Sequence, residues 1–206
     1  MTIGSWAVAA VSAGQSADET VAVNFDHLAL FVRAGPADNQ LTVSLDTSAG
    51  QYVIDSNVPV SPSSNCEATT ATEARCDHFV DGESMHVEGR RGDDRITLLA
   101  ASHPGAVNAG PGDDRVVTGP LRNEISGAAG HDFIKAGPGN DLLFGDQGRD
   151  ALYAESGNDR VHALDDETDR VIDCGPGEDI AWIDPQDPPA RHCEKVDFSD
   201  GRLGRK

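Results

Sequence analysis

Between Ala109 and His162 the apolar residues return at an interval of nine. The stretch divides into six consecutive blocks, AGPGDDRVV, TGPLRNEIS, GAAGHDFIK, AGPGNDLLF, GDQGRDALY and AESGNDRVH, and the eighth place of each is aliphatic: Val116, Ile125, Ile134, Leu143, Leu152 and Val161. Val, Ile and Leu make up 37 of the 206 residues, so six hits at one phase arise by chance with a probability of roughly 0.00003. A helix face needs apolar residues every three or four positions, which one obligatory apolar residue in nine excludes. The pattern predicts a coil that turns through six residues and runs as a three-residue strand, with only the central strand residue pointing inward. Two blocks then close one coil of 18 residues, and successive coils stack at the strand spacing of about 4.8 Å. The fold class predicted is all-β, a parallel β-roll.

The period thins outside these blocks but persists. GRRGDDRIT, Gly89 to Thr97, is a further copy with Asp94 and Ile96, and Val107 is in phase after an irregular turn. After His162 the spacing slips to ten, giving Asp169 with Val171 and then Asp179 with Ala181 in CGPGEDIAW. Upstream, the alternation Leu41, Val43, Leu45 followed by Tyr52 and Ile54 predicts a β-hairpin, and Met85 to Glu88 predicts the strand that opens the roll.

Composition narrows the function classes. Lys and Arg number 16 against 35 Asp and Glu, a formal net charge of -19 with 5% aromatics. Phosphate binding needs clustered cations, so nucleic acid and anionic membrane surfaces are excluded as partners. The longest apolar stretch, Trp6 to Val11, falls well short of the roughly 20 residues of a membrane span. With 22 Gly and 11 Pro the chain is built on turns rather than helices.

The four cysteines, Cys66, Cys76, Cys174 and Cys193, contain no CxxC pair and so lack the spacing of a zinc site. They allow three connectivities. Pairing nearest neighbours closes short loops and implies an extracytoplasmic setting, secreted or extracellular; four free buried thiols are the competing reading. Residues 1–19 are an apolar stretch with small residues and no preceding Lys or Arg, read either as a truncated signal peptide or as a disordered terminus.

The sixth place of the blocks carries the chemistry. It is occupied by Asp114, Asn123, Asp132, Asp141, Asp150 and Asp159, and the fourth is glycine at Gly112, Gly130, Gly139, Gly148 and Gly157. In an 18-residue coil Asp132 lies over Asp114 and under Asp150, while Asp141 and Asp159 form a second column on the opposite edge. Carboxylates about 4.8 Å apart repel by roughly 3.5 kcal/mol at an effective dielectric of 20. A cation between them reverses the sign. Calcium (Ca2+) takes six to eight oxygens, which two carboxylates and several turn carbonyls supply, whereas Mg2+ demands a tighter octahedron and keeps its waters. The fourth-place glycines allow left-handed turn angles that aim carbonyls at an ion.

These blocks resemble the hemolysin-type calcium-binding repeat, the RTX nonapeptide, whose pattern is GGxGxDxUx. The resemblance covers about Gly89 to Trp182 and implies a β-roll with calcium held between turns by Asp94, Asp114, Asp132, Asp141, Asp150, Asp159, Asp169 and Asp179. The second-place glycine is lost at Arg90, Ala128, Asp146 and Glu155, and Leu121 with Asn123 replaces the fourth glycine and the acid, which predicts weaker binding where that edge begins. DCGPGEDIAW followed by HCEKV is similar to the terminal cap of secreted actinobacterial proteins of this type, with Cys174 tied to Cys193; Asn39 to Asp94 is more loosely similar to their leader region. The division expected is a signal-like or disordered segment, 1–19; a small antiparallel β leader domain covering the roll's open end, 20–88; the roll, 89–182; and a disulfide-linked cap with a polar tail, 183–206.

Enzyme signatures are missing: there is no HExxH, no GxSxG and no glycine-rich phosphate loop leading into a helix. His78 and His86, near Asp77 and Glu83, are explained as surface positions. Two functions of different class follow. One is a secreted, non-catalytic calcium-binding module whose other partners are cell-surface or extracellular matrix components. The other is a small secreted hydrolase with chemistry in residues 20–88 and the roll as an accessory.

Overall fold

A computed structural model of the chain describes residues 21–26, 29–46, 48–62, 66–77, 84–99 and 104–198. His78 and Glu83, like residues 1–19, lie outside them. The described chain is all strand and turn. Its first seven strands are β1 (Val21–Asp26), β2 (Ala29–Arg33), β3 (Gln40–Asp46), β4 (Gln51–Ser56), β5 (Val60–Pro62), β6 (Cys66–Ala68) and β7 (Glu73–Asp77). The predicted hairpin is β3 with β4, paired antiparallel with Val43 opposite Ile54 and Leu45 opposite Tyr52.

The roll follows as β8 (Ser84–Glu88), β9 (Arg95–Leu98), β10 (Gly105–Pro111), β11 (Arg115–Thr118), β12 (Asn123–Ala129), β13 (Phe133–Lys135), β14 (Leu142–Phe144), β15 (Ala151–Tyr153), β16 (Arg160–Ala163), β17 (Val171–Asp173), β18 (Ile180–Ile183) and β19 (Lys195–Asp197). From β8 to β18 the strands alternate between two sheets, and every pairing among them is parallel and joins residues two blocks apart, such as Val116 with Ile134 and Ile125 with Leu143. The 18-residue coil is therefore as the period predicts. The leader strands extend these same two sheets: β2 pairs parallel with β8, and β3 parallel with β9. One continuous apolar cluster runs from Val21 to Ile183.

Two expectations need correction. First, the eighth-place residue is not the only inward one. Ala109, Thr118, Ala136, Ala154, Ala163 and Cys174, each two residues further on, are buried too, because residues two apart share a strand face. Most of these side chains are small. Second, Ile172 and not Val171 faces the core after Asp169. Arg170 and Val171 both donate their N–H to the Asp150 carbonyl, at 2.7 and 3.3 Å, so an extra residue bulges out and passes the inward position one place along.

Both nearest-neighbour disulfides form, Cys66–Cys76 and Cys174–Cys193. The second ties the last coil to the segment that covers it, where Arg191 bridges Asp173 and β19 lies on β18. On the outer face the ninth-place rings Phe144, His162 and Trp182 stack with centroids 4.8 and 4.3 Å apart.

Candidate metal centre

The same two-residue alternation that buries the eighth place buries the sixth. Asp114, Val116 and Thr118 share one face, as do Asp132, Ile134 and Ala136, so each block brings a carboxylate to the rim of the core where the chain enters its strand. Asp94, Asp114, Asp132, Asp141, Asp150, Asp159, Asp169 and Asp179 are each at most 5% exposed.

They stand in two columns. In the first, the N–H of Asp94 donates to Asp114 Oδ1 (2.6 Å), Asp114 to Asp132 (2.8 Å), Asp132 to Asp150 (2.8 Å) and Asp150 to Asp169 (2.8 Å). In the second, Asp141 donates to Asp159 and Asp159 to Asp179, each at 2.7 Å. One carboxylate oxygen of each aspartate thus fastens its coil to the previous one. Both columns run past the expected residues: Asp169 N–H donates to Asp187 Oδ1 (2.9 Å) and Asp179 N–H to Glu194 Oε2 (2.7 Å). Asp187 keeps the 18-residue interval from Asp169 but is followed by Pro188 and Pro189, with no aliphatic residue two places on, and Glu194 stands only 15 residues after Asp179, although it precedes the aliphatic Val196 by two; sequence reasoning missed both.

The other oxygen is what marks the site. Oδ2 of Asp94, Asp114, Asp132, Asp141, Asp150, Asp159 and Asp179 is buried and has no hydrogen-bond partner among the described residues; Asp169 Oδ2 is not of this kind. Burial pushes these carboxyls up against the pull of the N–H bonds: Asp94, Asp132 and Asp141 to about 6, Asp114, Asp159 and Asp169 to about 7, Asp150 to about 8, and Asp179 upward. Neighbouring carboxylates push most of them further.

The residues fit a calcium ion. Successive acids bound five gaps in the first column, Asp94/Asp114, Asp114/Asp132, Asp132/Asp150, Asp150/Asp169 and Asp169/Asp187, and three in the second, Asp141/Asp159, Asp159/Asp179 and Asp179/Glu194. Among the described residues no three His, Cys, Asp or Glu side chains form a metal-holding group. An ion in a gap therefore completes its shell with backbone carbonyls, a donor set that suits Ca2+ and not zinc.

The glycines keep these gaps open. A Cβ on Gly127 or Gly145, in the first place, would collide with the free oxygen of Asp132 or Asp150. In the fourth place a Cβ on Gly112, Gly130, Gly139, Gly148 or Gly157 would run into the fourth-place carbonyl of the coil before. Four of these five have positive φ, between 137° and 152°; Gly139 does not. Where the second-place glycine is lost the backbone stays left-handed all the same: φ is 79° at Arg90, 76° at Ala128, 61° at Asp146 and 76° at Glu155.

Two column starts carry an amide. Asn123 donates its N–H to Asp141 Oδ1 (2.7 Å), and its Nδ2 donates to the carbonyls of Gly119 (3.1 Å) and Leu121 (2.8 Å) and to Asp141 Oδ1 (3.3 Å). The first column begins at Asn39 in the same way: N–H to Asp94 Oδ1 (2.6 Å), and Nδ2 to the carbonyls of Gly35 (3.1 Å) and Ala37 and to Asp94 Oδ1 (2.9 Å). Residues 34–42, AGPADNQLT, are thus a further block that sequence reasoning missed. The signal was there, in an Ala-Gly-Pro opening identical to residues 109–111 and Leu41 in the eighth place.

Among the described residues no comparable assembly forms around a histidine. Ser84 Oγ and His86 Nε2 are 3.0 Å apart on the outer face of β8, where the imidazole stacks on Phe31 at 4.9 Å. His131 Nδ1 accepts the Arg149 N–H at 3.0 Å, and His192 pairs with Asp173 at 2.8 Å.

Residues 126–161 match the RTX calcium-binding nonapeptide repeat in four copies, which span Asp132, Asp141, Asp150 and Asp159. No curated protein and no solved structure matches the chain.

Proposed function

We propose that this chain, with RTX calcium-binding nonapeptide repeats at residues 126–161, is a calcium-binding structural module of a secreted protein. Ions occupy the gaps between successive sixth-place carboxylates and hold the coils together. The observation that carries this reading is the set of seven buried, unpartnered carboxylate oxygens. A buried charge without a partner is strongly unfavourable, and a divalent cation between two of them removes that cost. The two disulfides support an oxidising compartment. The net charge of -19 disfavours phosphate-bearing polymers as partners, and cell-surface or extracellular matrix components are the partner class we propose. The Ser84–His86 pair favours a hydrolase as the second reading, but it lies on a sheet's outer face, and a non-catalytic role accounts for the columns without it.

Calorimetric titration tests the calcium reading. Several ions, up to the eight that the gaps admit, bind at neutral pH, and millimolar Mg2+ does not displace them. A calcium titration without heat or bound metal overturns it. Hydrolase turnover by the purified chain, compared in calcium and in chelator, would restore the enzymatic alternative.

A further inference from the structure

The two asparagines pose a question that the calcium reading leaves open: why both columns begin on an amide. The two N–H groups of each Nδ2 are shared among three oxygens drawn from two coils. Two are the second- and fourth-place carbonyls of its own turn, Gly35 and Ala37 for Asn39, Gly119 and Leu121 for Asn123; the third is Oδ1 of the aspartate in the next coil, Asp94 or Asp141. The donor group stands in the gap between coils, the place an ion takes higher in the column. Its orientation is set by those acceptors. Turned over, the amide would set its own oxygen against three others, and so Asn39 Oδ1 is left buried without a partner instead.

Charge separates the two kinds of gap. A gap between two aspartates carries two negative charges and matches one Ca2+, whereas a gap between Asn39 and Asp94, or Asn123 and Asp141, carries one and already holds hydrogen-bond donors pointing at its oxygens. Asn39 stands in the first coil of its column. Asn123 has Gly105 as its strand neighbour in the preceding coil, so neither has an acid beneath it.

Resting on the calcium reading, we propose that Asn39 and Asn123 are built-in replacements for the cation. Each closes the first gap of its column with a side-chain amide. Both column starts therefore form without metal, and calcium-dependent ordering extends from them toward the C-terminus.

The full chain, its N123D and D132N variants and D132A as a control test this by native mass spectrometry in calcium and thermal melting in chelator. N123D binds one calcium more than the wild type and melts lower in chelator, because a carboxylate then faces two carbonyls and Asp141. D132N does the reverse: it binds fewer calcium ions and melts higher in chelator than D132A, since the oxygen of the introduced amide still accepts the Asp114 N–H while its nitrogen donates into the gap. An unchanged calcium number and chelator melting temperature in N123D overturns the proposal. So does a D132N variant no more stable in chelator than D132A, a comparison that stands even if N123D does not fold. A wild-type chain that retains no calcium sinks the calcium reading instead, and the chelator comparison of D132N with D132A still decides the role of the amide.

Discussion

Replacing Asp132 and Asp94 separately by alanine distinguishes a gap that holds metal from one closed by an amide. Asp132 lies between two carboxylate-bounded gaps, with Asp114 on one side and Asp150 on the other. Asp94 borders one such gap, toward Asp114, and one closed by Asn39. Each substitution also removes the acceptor of one buried backbone N–H, that of Asp114 or of Asn39. An orphaned buried donor costs about 1–3 kcal/mol in both variants, and D94A also loses the Asn39 Nδ2 bond to Asp94; comparing each variant in calcium with itself in chelator removes both contributions. At calcium 100-fold above its dissociation constant each site adds about 2.7 kcal/mol of stability. Losing two sites costs about 5.4 kcal/mol and losing one about 2.7 kcal/mol. For a domain of this size 1 kcal/mol moves Tm by about 2–4 °C, so calcium raises the Tm of D132A by roughly 5–11 °C less than that of D94A. In chelator D94A melts below D132A, because it alone strips the Asn39 amide of its aspartate acceptor. Scanning calorimetry in both buffers, with the calcium count from mass spectrometry, provides the comparison. Equal losses of calcium and of Tm in the two variants refute the assignment of ions to gaps.

Three further outcomes are expected. Ala128 holds φ 76°, and a non-glycine left-handed residue costs about 1–2 kcal/mol; A128G should therefore raise Tm by a few degrees, while G110A, whose Cβ would land on the Arg90 carbonyl oxygen, should unfold the coil, and calorimetry showing the reverse order contradicts the turn geometry. In chelator the raised sixth-place carboxyls, at about 6 to 8, hold protons that the unfolded chain releases near pH 4. Their contribution to stability is present at low pH and lost as pH rises through 6 to 8, so Tm in chelator is higher at pH 5.5 than at pH 8. In calcium, where protons compete for the carboxylates, the order reverses. His162, whose imidazole burial holds below its ordinary value, works in the opposite direction, one group against eight; a chelator Tm that climbs with pH refutes the burial of the columns. Reducing the Cys174–Cys193 bridge, which spans 19 residues, removes roughly 3 kcal/mol by the loop-entropy model, and the calcium-loaded Tm falls with the cap freed first; peptide mapping that joins Cys66 to Cys174 or Cys193 contradicts the pairing.

The roll was legible because its obligatory positions are few and rigid. One aliphatic residue and one acid per nine fix the coil length, the strand phase and both columns, and the residues at Asp114, Asp132, Asp150, Asp141 and Asp159 stand where the 18-residue period puts them. What escaped it did so for identifiable reasons. At Val171 and Ile172 two adjacent aliphatic residues satisfy the same pattern, and only the bulge at Arg170 decides which turns inward. The block at Asn39 has lost both the fourth glycine and the acid, so a metal-ligand pattern passes over it although the turn geometry is kept by hydrogen bonds. Asp187 closes the first column at the regular 18-residue interval but lacks the aliphatic residue that marks a block, and Glu194 closes the second at an interval of 15, so the continuity is visible only in three dimensions. The loss of glycine at Arg90, Ala128, Asp146 and Glu155 is plain in the sequence, but that the backbone retains its left-handed turn there follows from the stack of neighbouring coils.

The central claim is that buried carboxylate columns make the ordering of the roll depend on calcium. Far-UV circular dichroism of the whole chain in chelator, on addition of Ca2+ and on addition of millimolar Mg2+ tests it most directly, because site formation and folding share one free energy. A spectrum that in chelator shows only part of the β-structure, and gains the rest with Ca2+ and not with Mg2+, is the result predicted; identical spectra in chelator and calcium contradict it.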